Sequence, residues 1–308
     1  MKRWLILLWL LLPSVALAEH PPHGMVVAAD QYAAQAGIDM LEKGGNAFDA
    51  AAATALALGV VEPGSSGLGG GGFFLLYIAK ENRYVMLDAR ETSPTLAGNG
   101  EVYQKHSSID GPASAGVPGL AAGVDHLVSQ YGKLKRSQVT GPAIRLARDG
   151  FSVSPRLQGM LGWRGKVFND VARNIYLAGN TIKQEALADT LARFAAGGAE
   201  DFYRGETAGR LVADMKRDGG LIREDDLAAY QVIERIPVSF EYGDYRLVAA
   251  SLPSSGGMTL AHIFGQLKND DLQSMDQADR IHLLIEAMKR AYRDRNAHLG
   301  DSDFISIP

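Results

Sequence analysis

Arg90 is the residue whose type and place in the chain most invite chemistry. It follows the strand-like run Tyr84 to Ala89, within Leu87-Asp88-Ala89-Arg90-Glu91, and a guanidinium at a strand end can grip a carboxylate through two parallel N–H donors. The same position suits a structural ion pair with Asp88, Glu91 or a more distant acid, and pattern alone leaves both readings open. Other chemistry-bearing residues are weaker candidates. Ser65-Ser66 and Ser254-Ser255 lie beside glycines, but neither pair fits G-x-S-x-G and neither has a local base, so turn chemistry accounts for them. His282 and Glu286 share a helix face without a third ligand, which does not predict a metal site. Glu224-Asp225-Asp226 reads as the cap of a short helix or turn, not as a catalytic carboxylate pair.

Upstream of Arg90, the segment Glu62 to Tyr77 reads EPGSSGLGGGGFFLLY. Glycine leaves amide groups uncovered and allows another group to approach the backbone closely. Residues 67–72 satisfy G-x-G-x-x-G by letter, yet a dinucleotide fingerprint follows a strand and opens a helix. Here an alanine-rich, helix-like run precedes the glycines and an aromatic, strand-like run follows them. No Gly-Lys-Ser/Thr closes the segment as a phosphate loop would require. The pattern therefore predicts a close approach to this backbone, by a packed anion, another backbone or a tight crossing, and not a nucleotide site.

The elements that must position these residues can be read from their boundaries. Asp30 caps a helix running to about Lys43, and Gly44-Gly45 ends it. Asn46 caps a second helix, with Asp49 near its positive end. Phe73 to Ala79 and Tyr84 to Ala89 form a hairpin around Lys80-Glu81-Asn82-Arg83. Further helices are predicted at Pro118 to Tyr131, Val139 to Asp149, Leu187 to Ala196, Asp201 to Asp218 and Asp276 to His298. Strands are predicted at Pro237 to Phe240 and Tyr245 to Ala250, followed by a turn of small residues at Pro253 to Gly257. Helices and strands mix without regular alternation, which favours a layered α+β structure over a doubly wound one.

Residues 1–18, MKRWLILLWLLLPSVALA, have a basic start, an apolar run and an Ala-Leu-Ala end, the pattern of a cleavable signal peptide. The apolar run falls short of the ~20 residues of a spanning helix, so no stable membrane insertion is expected. The product is expected to be exported, periplasmic or secreted, with residues 19–308 forming one region. The chain has 31 basic and 35 acidic residues; loss of Lys2 and Arg3 leaves 29 basic, a net charge of −6, which argues against a nucleic-acid partner. Cysteine is absent, so the fold must rest on its core and not on disulfides.

Taken together, several segments resemble the γ-glutamyltranspeptidase (glutathione hydrolase) family. They are the run from Gly24 through the glycine segment, then LDARETSP, GPASAGVPG, PAIRLARDGF, DFYRGETA, GGLIREDDLAAYQVIERIPVSFEYGDY, LPSSGG and the closing HLGDSDFISIP. The resemblance covers Gly24 to Pro308 in the family's order. It implies an αββα sandwich of the N-terminal nucleophile hydrolase type, incomplete in this chain. It also implies a proenzyme that cleaves itself into large and small subunits, this chain matching part of the large one. In the family, a threonine at the small subunit's N-terminus attacks the γ-glutamyl amide, its own α-amine acting as base. Water or an amino acid or peptide then accepts the acyl group. By position, the role of binding the donor's α-carboxylate falls to Arg90. No threonine of this chain occupies the nucleophile's motif, so the resemblance places the nucleophile beyond Pro308 and implies no catalytic residue, cofactor or metal here. The implied partners are γ-glutamyl compounds such as glutathione and the missing small-subunit or C-terminal portion. A cephalosporin acylase-like relative and a non-catalytic exported protein that binds γ-glutamyl compounds or a partner are the alternatives.

Overall fold

The computed structural model describes residues 24–307; the expected signal peptide, with His20 and His23, lies outside the described residues. Helix α1 (Gln31–Glu42) begins where the Asp30 carboxylate accepts the Tyr32 N–H. Helix α2 (Ala47–Val61) opens on a capping box between Asn46 and Asp49. Asp49 is fully buried, and its carboxylate reaches further than local sequence implies: it also accepts the N–H groups of Lys133 and Leu134 at 3.0 and 3.1 Å. One acid thus caps α2 and ties it to the loop after α3 (Leu120–Tyr131).

Strands β1 (Gly72–Ile78) and β2 (Arg83–Ala89) form the expected hairpin. A single 3-10 turn and Asn82, in the left-handed region at φ 46°, reverse the chain between them. Pairing runs from Gly72 opposite Ala89 to Ile78 opposite Arg83. After α3 come α4 (Arg136–Asp149) and a small ribbon, β3 (Phe151–Ser152) with β4 (Thr181–Ile182). Between the two ribbon strands lie α5 (Pro155–Arg164) and α6 (Asp170–Tyr176).

The remaining elements are α7 (Glu185–Gly197), α8 (Ala199–Arg204), α9 (Glu206–Asp218), α10 (Glu224–Ala229) and β5 (Ile233–Arg235). They are followed by β6 (Val238–Tyr242), β7 (Tyr245–Ala249), α11 (Gly256–Leu267) and α12 (Gln277–His298). Two expectations need correction. The single helix expected over Asp201 to Asp218 is two, because Gly205 adopts an extended conformation, and a side chain there would meet the Asp201 backbone at 2.7 Å. The small-residue turn at Pro253 to Gly257 gives way to α11 at Gly256, where small residues permit close approach: a methyl at Gly257 would overlap the Ala250 carbonyl.

Four layers result, and the side-chain parity of β2 shows how. Strand β2 is central, with order β1-β2-β5, and Val85 to Ala89 are all buried, as a strand covered on both faces should be. Leu76, Ile78, Val85 and Leu87 join the core shared with α2 and α3. On the other face lie Phe73, Leu75 and Tyr77 of β1 and Tyr84, Met86 and Asp88 of β2. The β6–β7 hairpin approaches that second face: Arg246 lies over the Tyr84 ring at 6.0 Å, and the Ser251 N–H is 3.1 Å from the Met86 sulfur. Phe240 and Tyr242 of β6 pack instead against Phe264 of α11, and α11 packs on α12. The order is therefore helices, three-stranded sheet, two-stranded sheet, helices. The space between the sheets is only partly filled, since Leu75 is 44%, Tyr77 48% and Ile233 40% exposed.

Candidate functional site

Arg90 follows β2 directly and stands on the second face, where Phe73 projects. Its guanidinium carbon is 5.6 Å from the Phe73 ring centroid, a cation–π contact, and its Nε is 3.3 Å from Glu91. The side chain is 57% exposed, which leaves guanidinium N–H groups open to an approaching carboxylate. Of the three partners considered from sequence, Glu91 makes the local ion pair. Asp88 does not: its Oδ2 accepts from Arg235 Nε at 2.8 Å, while its Oδ1 accepts the Arg90 backbone N–H at 3.1 Å.

Arg235 is largely buried and also makes a two-pronged contact with Asp303, at 2.9 and 2.5 Å. These hydrogen bonds hold the Asp303 carboxyl below the usual carboxylate range and raise the Arg235 guanidinium. The carbonyl of Arg90 is held as well, by the Tyr230 hydroxyl at 2.8 Å. Burial, reinforced by the nearby Asp88 and Glu91 carboxylates, pushes Tyr230 up, so it remains a protonated donor. Sequence reasoning missed Tyr230, Arg235 and Asp303. No local signal could have found them, because Tyr230 and Arg235 lie 140 and 147 positions from the residues they hold.

The glycine run packs directly beneath this turn. At Gly71 a Cβ would sit 2.5 Å from the Ala89 oxygen, 2.8 Å from the Glu91 nitrogen and 3.0 Å from the Arg90 carbonyl carbon. The Gly70 carbonyl accepts the N–H groups of Gly119 and Leu120, both at 2.9 Å, fixing the start of α3. The glycines therefore bring three backbone segments together, the role that the sequence pattern suggested.

A cleft of about 530 Å³ opens along the run, lined by Gly64 to Gly71, Glu91, Leu120, Tyr176 and Gln184. Glu91 borders it and Arg90 does not. The cleft is thus a neighbour of Arg90 and not its pocket.

Ser65 and Ser66 line this cleft, whereas Ser255, Asp226 and Glu286 make structural contacts. Ser255 Oγ accepts from Arg295 at 2.8 Å, joining α11 to α12. Asp226 caps α10 and accepts the Thr95 N–H and hydroxyl. Glu286 pairs with Lys289 at 2.7 Å, and among the described residues no group of three or more His, Asp or Glu side chains could hold a metal ion. On the first face, Glu234 of β5 accepts from the Tyr131 hydroxyl at 2.6 Å and lies 3.0 Å from His126 Nε2, tying β5 to α3. Burial, with Glu234 beside it, pushes the Tyr131 hydroxyl up to about 12.

Residues 33–308 match the family model described as gamma-glutamyltranspeptidase. A glutathione hydrolase proenzyme of Pseudomonas sp. (strain A14) is 38% identical over 305 residues, covering 93% of this chain and 53% of that protein. The crystal structure of Helicobacter pylori gamma-glutamyltranspeptidase superposes with a TM-score of 0.88 at 37% identity, covering 92% of this chain and 86% of that one. The Pseudomonas nitroreducens gamma-glutamyltranspeptidase complexed with L-DON gives 0.85 at 38% identity, with 93% and 90% covered. The chain spans about half the length of the curated relatives it matches. The four-layer order agrees with these matches, and the chain belongs to the γ-glutamyltranspeptidase family, with that family's N-terminal nucleophile hydrolase type of fold.

Proposed function

We propose that this chain is the donor-orienting portion of an exported γ-glutamyltransferase/glutathione hydrolase, and that Arg90 binds the α-carboxylate of the γ-glutamyl group. The observation that carries the reading is Arg90 itself, a half-exposed guanidinium beside the partly filled space between the two sheets. A bidentate arginine–carboxylate contact fixes direction as well as distance. It would hold the donor by its α-amino acid end and leave the γ-amide to project toward the nucleophile.

In this reading the nucleophile is a threonine supplied by the small-subunit portion, outside this chain. Its hydroxyl oxygen attacks the γ-carbonyl carbon, the hydroxyl proton passes through the threonine's own amine to the departing amide nitrogen, and the C–N bond breaks. Water or the amine of an amino acid or peptide then attacks the ester, and the threonine hydroxyl is restored. The exposed face bearing Leu75, Tyr77 and Ile233 is where that portion would pack. The leader-like residues 1–18 support export, and among the described residues no helix is long and apolar enough to cross a membrane.

The test is release of a chromogenic amine from a γ-glutamyl anilide. The chain alone is expected to release none, and the chain assembled with the nucleophile-bearing portion is expected to turn over. Arg90→Ala in the assembled protein should raise KM for the donor by about tenfold or more, as expected when an ionic hydrogen-bond partner is removed. Turnover by the chain alone would place the nucleophile inside it, and an unchanged KM would remove Arg90 from the donor site. Equal use of acyl donors with and without the α-carboxylate would favour an acylase-type activity.

A further inference from the structure

We propose that Tyr230 is a positioning residue for Arg90, holding the backbone carbonyl of the residue whose backbone N–H is held by Asp88. The inference rests on the reading of Arg90 as the carboxylate anchor and adds to it the device that sets the anchor's direction. The Arg90 side chain is half exposed, and its charged end contacts Phe73 and Glu91 without burial. Such a side chain is aimed mainly by its backbone, and that backbone is held at both ends. Asp88 Oδ1 accepts the Arg90 N–H, and the Tyr230 hydroxyl donates to the Arg90 carbonyl.

Each grip is itself supported. Tyr230 stacks on Tyr203 with ring centroids 5.4 Å apart and planes 9° from parallel. Tyr203 is buried and donates its own hydroxyl to the Pro118 carbonyl at 2.8 Å. Gly119 follows, and any side chain there would overlap the Tyr230 hydroxyl and the Ala89 carbonyl oxygen. The two tyrosines therefore brace the Arg90 turn against the entrance to α3. On the other side, Arg235 holds Asp88 and is itself held by Asp303 near the end of the described chain. The loop after α10, strand β5 and the 301–306 turn thus converge on the two peptide units that flank the Arg90 Cα. A purely architectural contact would not need to focus on the residue that meets the substrate.

The experiment compares L-glutamate with 4-aminobutyrate, which lacks only the α-carboxylate, as competitive inhibitors of γ-glutamyl anilide turnover by the assembled protein. The wild-type protein should prefer L-glutamate, and Arg90→Ala should abolish the preference. Tyr230→Phe removes one hydroxyl and should narrow the preference about fivefold, the loss of one hydrogen bond, with kcat within about twofold and binding of 4-aminobutyrate unchanged. Asp88→Asn should narrow the same ratio from the amide side, which keeps the test open should Tyr230→Phe fold poorly. In the Arg90→Ala background, Tyr230→Phe should have no further effect on the ratio. A Tyr230→Phe protein with the wild-type preference, or a loss of preference that persists independently of Arg90, overturns the positioning role. An Arg90→Ala protein that keeps the preference overturns the reading of Arg90 itself, and the positioning role falls with it.

Discussion

Gly71→Ala tests whether the glycine run exists to bring Arg90's turn into place. None of Gly69, Gly71 and Gly72 has a positive φ, so alanine is permitted at each by its backbone, and the three differ in what a methyl would meet. At Gly71 the nearest atoms are all backbone, at 2.5, 2.8 and 3.0 Å, whereas nothing lies within 4 Å at Gly69 or Gly72. Backbone cannot swing aside as a lysine tip would. Overpacking of this kind costs about 1–3 kcal/mol, and the lower entropy of an unfolded chain with alanine offsets ~0.4–1 kcal/mol of it. The net loss is about 1–2 kcal/mol, or roughly 2–8 °C in melting temperature at about 2–4 °C per kcal/mol for a chain of this order of size. Gly69→Ala should be neutral or slightly stabilising. Thermal and urea denaturation of the three variants side by side provide the measurement. The donor KM of the assembled Gly71→Ala protein should rise, because the methyl displaces the Ala89–Glu91 backbone. If Gly71→Ala melts within a degree of Gly69→Ala, the close approach is not what the glycine is for, and the account of this segment fails.

Two further expectations follow from buried and paired carboxylates. Asp49→Asn should destabilise the fold by about 2–3 kcal/mol in urea titration, since an amide replaces an oxygen in a fully buried carboxylate that accepts the N–H groups of Asn46, Lys133 and Leu134. The hydrogen bonds from Arg235 hold Asp303 below its usual value of 3.8. The pair therefore stabilises the native state in full above that value and loses its contribution as pH falls through the depressed one. Wild type and Asp303→Asn should differ by a constant amount from pH 5 to 7 and converge as pH falls through the depressed value, and a gap that widens toward acid would contradict the pairing.

What the sequence made legible was what short-range chemistry decides. Asp30 and Asn46 name their helices because the capping groups lie within three residues of the amides they serve. The β1–β2 hairpin was legible because apolar and aromatic residues fill two runs on either side of a polar turn. Strand β5 was not, because Ile233-Glu234-Arg235 is short and carries two charges, and its identity as a strand comes from pairing with β2. The break at Gly205 was missed because helical pattern continues across it on both sides. At the site, Arg90 could be proposed from its strand-end position and from family resemblance. Its supports could not, since Asp88 is held by a residue in β5 and Tyr230 arrives from the loop after α10. A local reading assigned Asp88 and Glu91 equally to Arg90, and only the fold separates them.

The side-chain parity of β1 and β2 fixes where Arg90 must stand. The register of β1 and β2 places Leu87 and Ala89 toward α3, where Ala89 meets the space left by Gly123. A slip of one residue would exchange every side chain between the faces and would bury Asp88 among the apolar residues of the helix layer. The core of alanine, valine and leucine on that side therefore selects the register before any ligand is considered. Extension of the alternation by one residue past Ala89 sends Arg90 to the opposite face, over Phe73, which is paired with Asp88. That face is the one bearing the exposed Leu75, Tyr77 and Ile233. The arginine is thus presented between the sheets as a consequence of packing the helices on the other side. Its hydrogen-bonded supports then only have to refine an orientation that the hydrophobic core has already chosen.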